Sequence, residues 1–385
     1  MGGRLAEIDV LRGFGLLGVA ICNGQLIAGV AWAGSAAGPV HELDRATVWA
    51  VDLFLAAKFF PLMAFLLGYS YRLQAADPRY GGPGFHRRQG RRLCGLLLLG
   101  AANAVLLFAG DILTTYAVLG LLVLLALERM SPRGCLLMAG VCVALVTAEV
   151  SAGAFLTAGA VGHVPVGARS TIVALYRDGP LTALAARLRE LPVEAKGDFV
   201  MAPDVLAALL AGLAAGQTRF LDKELPHRFA ARGAGWVCLG VGLTGSVVAT
   251  VFQHMDPADG RPLAGLAVEV ATAPALTAAY ALGLLALMRA GRCGPVLRAF
   301  AAAGRMSLTN YLGQSLLLDI VYTGYGLRLY GRVGAAAAAG AALAVYVLGL
   351  WASTALVRRG RHGPAEVFLR RLTNGALRPM TPGAR

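Results

Sequence analysis

The sequence predicts an all-α protein, a polytopic transmembrane helical bundle, on three observations. Hydrophobic residues make up 57% of the 385-residue chain and charged residues only 15%. Mean hydropathy is +0.64. Charge-free runs at 13–40 and 333–357 exceed the ~20 residues that carry a helix across a bilayer. A buried central helix in a water-soluble fold would account for one such run, not for a series along the whole chain.

The runs read as spans are 12–33, 49–71, 93–110, 112–128, 134–157, 199–217, 234–252, 264–288, 307–327 and 334–357. The fourth and sixth are short or interrupted, so the bundle is expected to have about ten crossings. Asp9 and Arg12 precede the first run, which outlasts the apolar core of a secretory leader and has no convincing cleavage end. The second holds Lys58, with Pro61 three residues on, where a kink is expected. The third and fourth are separated by Asp111. After the fifth comes the longest polar segment, 158–198. Its PLTALAARLRELPVEAKGDF reads as partly helical and amphipathic, either an interfacial helix or a plain surface link. The sixth contains GLAAG at 212–216, small residues of the kind that let membrane helices approach closely. The organisation expected is a five-span half over 1–157, an extracytoplasmic loop over 158–198, a second five-span half over 199–357 and a basic tail over 358–385. No internal repeat is evident. Gly- and Ala-rich helix faces offer a route to oligomers.

Charge sets the orientation. The net charge is +14. Arg72, Arg79, Arg87, Arg88, Arg91 and Arg92 share one linker with Asp77. Arg129 and Arg133 lie in a second; Arg219, Lys223, Arg228 and Arg232 in a third; Arg289, Arg292, Arg298 and Arg305 in a fourth. The tail carries Arg358, Arg359, Arg361, Arg370, Arg371, Arg378 and Arg385 against Glu366. Ten crossings put all of these on one side with Arg4, and the positive-inside rule makes that side, and both termini, cytoplasmic. The other side receives 34–48, Asp111, 158–198, 253–263 and 328–333. The basic balance thus points to a lipid bilayer and not to nucleic acid. Cys22, Cys94, Cys135, Cys142, Cys238 and Cys293 form no close pair motif and read as small apolar filler, with no metal cluster.

The costly residues are those at membrane depth. An ionised group in hydrocarbon costs roughly 3 to above 10 kcal/mol unless it pairs, neutralises or faces a cavity. Asp52, Lys58, Glu149, Glu269 and Asp319 are of this kind, and Asn23, Gln25, Asn103, Asn310 and Gln314 add neutral polarity. Lys58 lines a cavity or pairs with one of the acids. Asp9 and Arg12, three apart, share a helix face as a structural ion pair or as the lining of an entrance. Asn310 and Gln314 share another face, for interhelical hydrogen bonds or a ligand, and Asp319 points roughly half a turn away. Glu149 and Glu269 read as proton-relay groups or buried partners. His41, before Glu42, is a solvated loop residue or a general base at the membrane mouth. No Walker loop, dinucleotide fingerprint, HExxH or GxSxG is present.

Several stretches together resemble the YeiB-like family of bacterial inner-membrane proteins, domain of unknown function 418. They are IDVLRGFGLLGVAICN (8–23), KFFPLMAFLLG (58–68), RRLCGLLLLG (91–100) with GDILTTYAVLGL (110–121), GRMSLTNYLGQS (304–315) and RRGRHGPAEVFLRRLT (358–373). The resemblance implies a multi-pass protein of the bacterial cytoplasmic membrane, associated with transport. The opening pattern also resembles membrane acyltransferases, among them heparan-alpha-glucosaminide N-acetyltransferase. That likeness implies an acyl group moved from cytoplasmic acyl-CoA, the cosubstrate, to a sugar, lipid or small-metabolite acceptor. On this reading Arg87, Arg88, Arg91, Arg92 and Arg305 dock the phosphates, Asp9, Arg12, Lys58 and His41 serve the chemistry, and the thioester enters near Lys58 and Asn310. Asn23, Asp52, Asp111, Gln314, Asp319, Glu149 and Glu269 line the cavity. The alternatives are a transporter of a small metabolite or lipid precursor, and a non-catalytic membrane partner.

Overall fold

The computed structural model describes residues 2–30, 41–77, 82, 84–157, 166–219, 233–255, 261–292 and 294–374. Among them all regular structure is helical, with no strand. The helices are α1 (Gly2–Ile27), α2 (Glu42–Phe54), α3 (Phe59–Ala76), α4 (Phe85–Leu106), α5 (Ile112–Leu122, continued by a π-helical turn at Val123–Leu127), α6 (Pro132–Thr157), α7 (Val166–Asp178) and α8 (Pro180–Gln217). They are followed by α9 (Ala234–Gln253), α10 (Arg261–Arg289), α11 (Gly294–Arg305), α12 (Ser307–Tyr322), α13 (Ala335–Arg358) and α14 (Pro364–Asn374).

Seven stretches are long and apolar enough to cross a membrane: Ala6–Ile27, Glu42–Ala76, Pro132–Ala154, Pro180–Gln217, Ala234–Gln253, Arg261–Arg289 and Ala335–Arg358. The other three predicted runs, 93–110, 112–128 and 307–327, are helical as α4, α5 and α12 but shorter or less apolar. Large apolar side chains point away from the bundle: Leu137, Trp236 and Trp351 are 72, 74 and 70% exposed. Such a surface suits hydrocarbon as its solvent. Arg79, Lys223, Arg228, Arg232, Arg378, Arg385, Cys293 and the loop parts 34–40, 158–165 and 256–260 lie outside the described residues.

Two expected boundaries are corrected. The second run is no single helix, because α2 stops at Phe54 and α3 starts at Phe59. As one rod, the 35 residues Glu42–Ala76 would reach about 52 Å, far beyond the hydrocarbon thickness. Pro61 therefore does not kink a helix; it lies in the first turn of α3, where a missing N–H costs little. Also, 158–198 does not end as a separate loop. Its amphipathic half opens α8, which runs 38 residues into the sixth apolar run. Residues before 157 pack on residues after 199: α1 lies against α11, α12 and α13, and α3 against α8.

Glycine sets the tightest crossings. A Cβ on Gly304 would stand 1.8 Å from Asp9 O, and one on Gly13 2.0 Å from Phe300 O, so α1 and α11 touch backbone to backbone. Gly68 and Gly212 do the same for α3 and α8, with 2.1 Å to Leu209 O and 2.0 Å to Phe65 O. Backbone atoms cannot rotate aside, so Gly304→Val must part the helices. We expect it to cost about 1–3 kcal/mol or more, read as a lowered melting temperature in detergent. Gly340→Ala on α13, with nothing within 4 Å of the new atom, should be neutral or slightly stabilising.

The two closing motifs dock on each other. Glu366 of α14 caps α12: its Oε1 accepts from Leu308 N at 2.8 Å and Thr309 N at 3.1 Å. Thr309 Oγ1 donates to Oε2 at 2.5 Å and accepts from Ala365 N at 3.1 Å. A carboxylate here satisfies orphan donors and opposes the positive end of the helix. Glu366→Ala should cost about 1–2 kcal/mol, again read by thermal unfolding, whereas substitution of the exposed Arg361 should not.

Candidate functional site

The break between α2 and α3 builds a polar centre in the interior. Ala57 adopts φ +57°, a region L residues seldom occupy, and turns the chain so that Lys58 becomes the residue before α3. A break frees carbonyls that hydrocarbon cannot satisfy. Here α10 supplies the donors: Thr277 Oγ1 donates to Lys58 O at 2.9 Å and Tyr280 OH to Phe54 O at 3.1 Å. The Lys58 ammonium, fully buried, donates to Glu269 Oε1 at 2.6 Å and to Asp52 O at 2.8 Å. Glu269 Oε2 accepts from Gln253 Nε2 at 2.6 Å. The ion pair is thus held on both oxygens of its carboxylate.

Asp52 opens this pair toward the end of the bundle where α9 closes and α10 begins. His254 Nε2 lies 3.5 Å from Asp52 Oδ2, and both side chains are 26% exposed. His254 Nδ1 is 2.9 Å from Thr250 O, which fixes a proton on that nitrogen and turns Nε2 toward the carboxylate. Trp49 stacks on the imidazole with centroids 4.6 Å apart. The site is a closed Lys–Glu pair beneath a half-open His–Asp mouth. It offers donors and acceptors of both signs, with one imidazole within reach of solvent.

Of the residues singled out above, Lys58, Asp52 and Glu269 are brought together here. Gln253 and His254 join them and were missed, since a Gln-His at the end of an apolar run reads as the start of a loop. Asn310 makes its hydrogen bonds within α11, α12 and α13, and none to Lys58 or its partners. Its Nδ2 is spent on Ala303 O, Met306 O and Ser353 Oγ, at 3.1, 3.1 and 2.8 Å. His41 is exposed ahead of α2, eleven residues and about 16 Å of helix before Asp52. Glu149 is exposed on α6 and is no buried partner. Asn23 and Gln314 are buried; the Asn23 oxygen and both Gln314 amide atoms have no hydrogen-bond partner among the described residues.

Three other polar groups form centres of their own. Asp111 caps α5, accepting from Thr114 N at 3.0 Å and Thr114 Oγ1 at 3.1 Å, and from Asn103 Nδ2 and Tyr311 OH at 2.9 Å each. Four donors leave it a structural knot with no free face for a ligand. Asp319 pairs with Arg187, a residue of the amphipathic segment that sequence reasoning passed over. Asp9 and Arg12 lie 3.8 Å apart on one face of α1, as their spacing requires. Arg87, Arg91 and Arg305 are exposed, Arg88 is half-buried and Arg92 turns inward to Gln74.

Residues 215–376 match the family model described as Protein of unknown function (DUF418). The matched segment holds both docked motifs, Gly304–Ser315 and Arg358–Thr373. The chain is 28% identical to the uncharacterized protein YxaH of Bacillus subtilis (strain 168), over 98% of this chain and 96% of that one. It is 25% identical to an uncharacterized 39.9 kDa protein in the amylase 3' region of Bacillus acidopullulyticus, over 96% and 94%.

Proposed function

We propose that this chain, a DUF418-type protein across residues 215–376, is an integral protein of the bacterial cytoplasmic membrane that carries a small polar metabolite or lipid precursor across it. It crosses about ten times with both termini in the cytoplasm, the orientation its Arg-rich linkers favour. The mouth at Asp52 and His254 then faces outward. The observation that carries the reading is the Lys58–Glu269 pair at a helix break, its freed carbonyls capped by α10, beneath that mouth. Discontinuous helices with ionisable groups at depth are how membrane carriers hold polar substrates. A substrate with both a donor and an acceptor would exchange bonds with His254 and Asp52 before reaching Lys58.

The test compares metabolites inside and outside cells expressing the wild type, Lys58→Met, His254→Ala and His41→Ala. A polar metabolite should redistribute with the wild type and His41→Ala and stay put with the other two. Unchanged redistribution in both Lys58→Met and His254→Ala would overturn the reading.

One observation favours a second reading, acyl transfer from acyl-CoA. His254, held by Thr250 O and beside Asp52, puts a part-exposed imidazole next to a carboxylate, and in this reading it takes the part expected of His41. Release of CoA from labelled acetyl-CoA by purified protein, abolished in His254→Ala and retained in His41→Ala, is the result this reading requires.

A further inference from the structure

The opposite end of the bundle gathers positive charge that its carboxylates do not cancel. Arg12 Nη2 donates to Ser70 Oγ at 2.6 Å, and Arg12 forms a long ion pair with Asp9 at 3.8 Å. Arg92 Nη1 reaches Gln74 Oε1 at 3.3 Å, an oxygen that already accepts from buried Gln89 at 2.8 Å. Among the described residues no carboxylate lies within ion-pair distance of Arg92. The neighbouring acids are engaged: Glu128 by Tyr71 and His86, Glu7 by Arg289, Glu366 by the start of α12. Arg92, which precedes the apolar run of α4, is pushed down to about 10, first by burial and then by the like charge of Arg12. Arg305 acts on Asp9 from the same end. Arg92, Gln89 and Tyr71 also border a cavity of about 20 Å³ that is otherwise lined by apolar residues such as Leu67, Leu93 and Val123, with room for one water.

The two guanidiniums donate to neutral acceptors one turn apart on α3, Ser70 and Gln74, and their like charges repel each other. A planar fork of N–H donors matches phosphate oxygens in a way an amide oxygen cannot. We infer that Arg12 and Arg92, with Gln89 beside them, bind a phosphate group, carried either by a small soluble phosphate ester or by an anionic phospholipid. The site is separate from the Lys58–Glu269 centre, and the inference stands whether or not that centre carries a substrate.

Inorganic phosphate is the probe for the soluble source. Full-length protein in detergent is titrated with phosphate at constant ionic strength, and binding is followed by calorimetry and by thermal shift. The wild type should show saturable binding, weakened at least tenfold in Arg92→Gln and several-fold in Arg92→Lys. The lysine variant keeps the charge and guards against a folding defect. Arg298→Gln, an exposed residue of the same end, should behave as wild type. For the lipid source, the same proteins are melted in nanodiscs of phosphatidylglycerol and of phosphatidylcholine. Stabilisation by phosphatidylglycerol that both Arg92 variants lose, with inorganic phosphate silent, makes the ligand a lipid headgroup. An equal response of wild type and both Arg92 variants, or no response to either source, would overturn the inference.

Discussion

Replacing Arg187 by alanine is expected to remove about 3–5 kcal/mol of stability and to leave a chain that melts early or fails to purify as a single species. The Arg187 and Asp319 side chains are each 1% exposed and form an ion pair. The guanidinium also donates to Leu106 O at 2.7 Å and reaches Tyr325 OH at 3.4 Å. Its carbon lies 5.7 Å from the ring centre of Tyr176 and 5.2 Å from that of Tyr325. One side chain thus ties the start of α8 to the ends of α4 and α12 and to the turn after α12. Truncation leaves Asp319 buried without its cation, and most of the cost arises there. Arg187→Met with Asp319→Leu should recover much of the loss, because an apolar pair of similar volume avoids the desolvation of both charges. Thermal unfolding of the two single variants and the double variant measures the coupling. Single variants within a degree or two of the wild type would contradict this account.

Replacing Lys58 alone, and Lys58 together with Glu269, should separate stability from activity. Lys58→Met strands a carboxylate that, among the described residues, keeps Gln253 as its donor, a loss again of about 3–5 kcal/mol. Lys58→Met with Glu269→Leu should regain stability. If the pair serves only the fold, that double variant also regains the metabolite redistribution; if it handles substrate, stability returns and transport does not. Melting and transport measured on the same preparations separate the two outcomes.

Much of the architecture was legible because hydrocarbon is a severe solvent. Each predicted run falls largely on helix, and Lys58, Asp52, Glu269 and Asp319 stood out as residues that lipid would not tolerate unaided. What stayed hidden was partnership. Arg187 sits 132 residues from Asp319, in a segment whose amphipathic pattern fits an interfacial helix equally well. Gln253 and His254 come into play only because α9 ends level with the turn after α2. That turn had a signal: proline favours the first turn of a helix, so Pro61 marked a start as well as a kink. The glycines at 13 and 304 advertise close approach in general, but no spacing rule says that they meet each other.

The grip of Glu366 on the N-terminus of α12 bears on how topology is mapped. A reporter enzyme joined after residue 374 leaves that clasp whole and reports the side on which the native tail lies. One joined after residue 358 deletes the clasp, leaves Leu308 N and Thr309 N without their acceptor, and samples a destabilised chain. Reporter junctions for this protein therefore belong beyond α14, and low signal from shorter fusions should be read as a folding defect before it is read as sidedness.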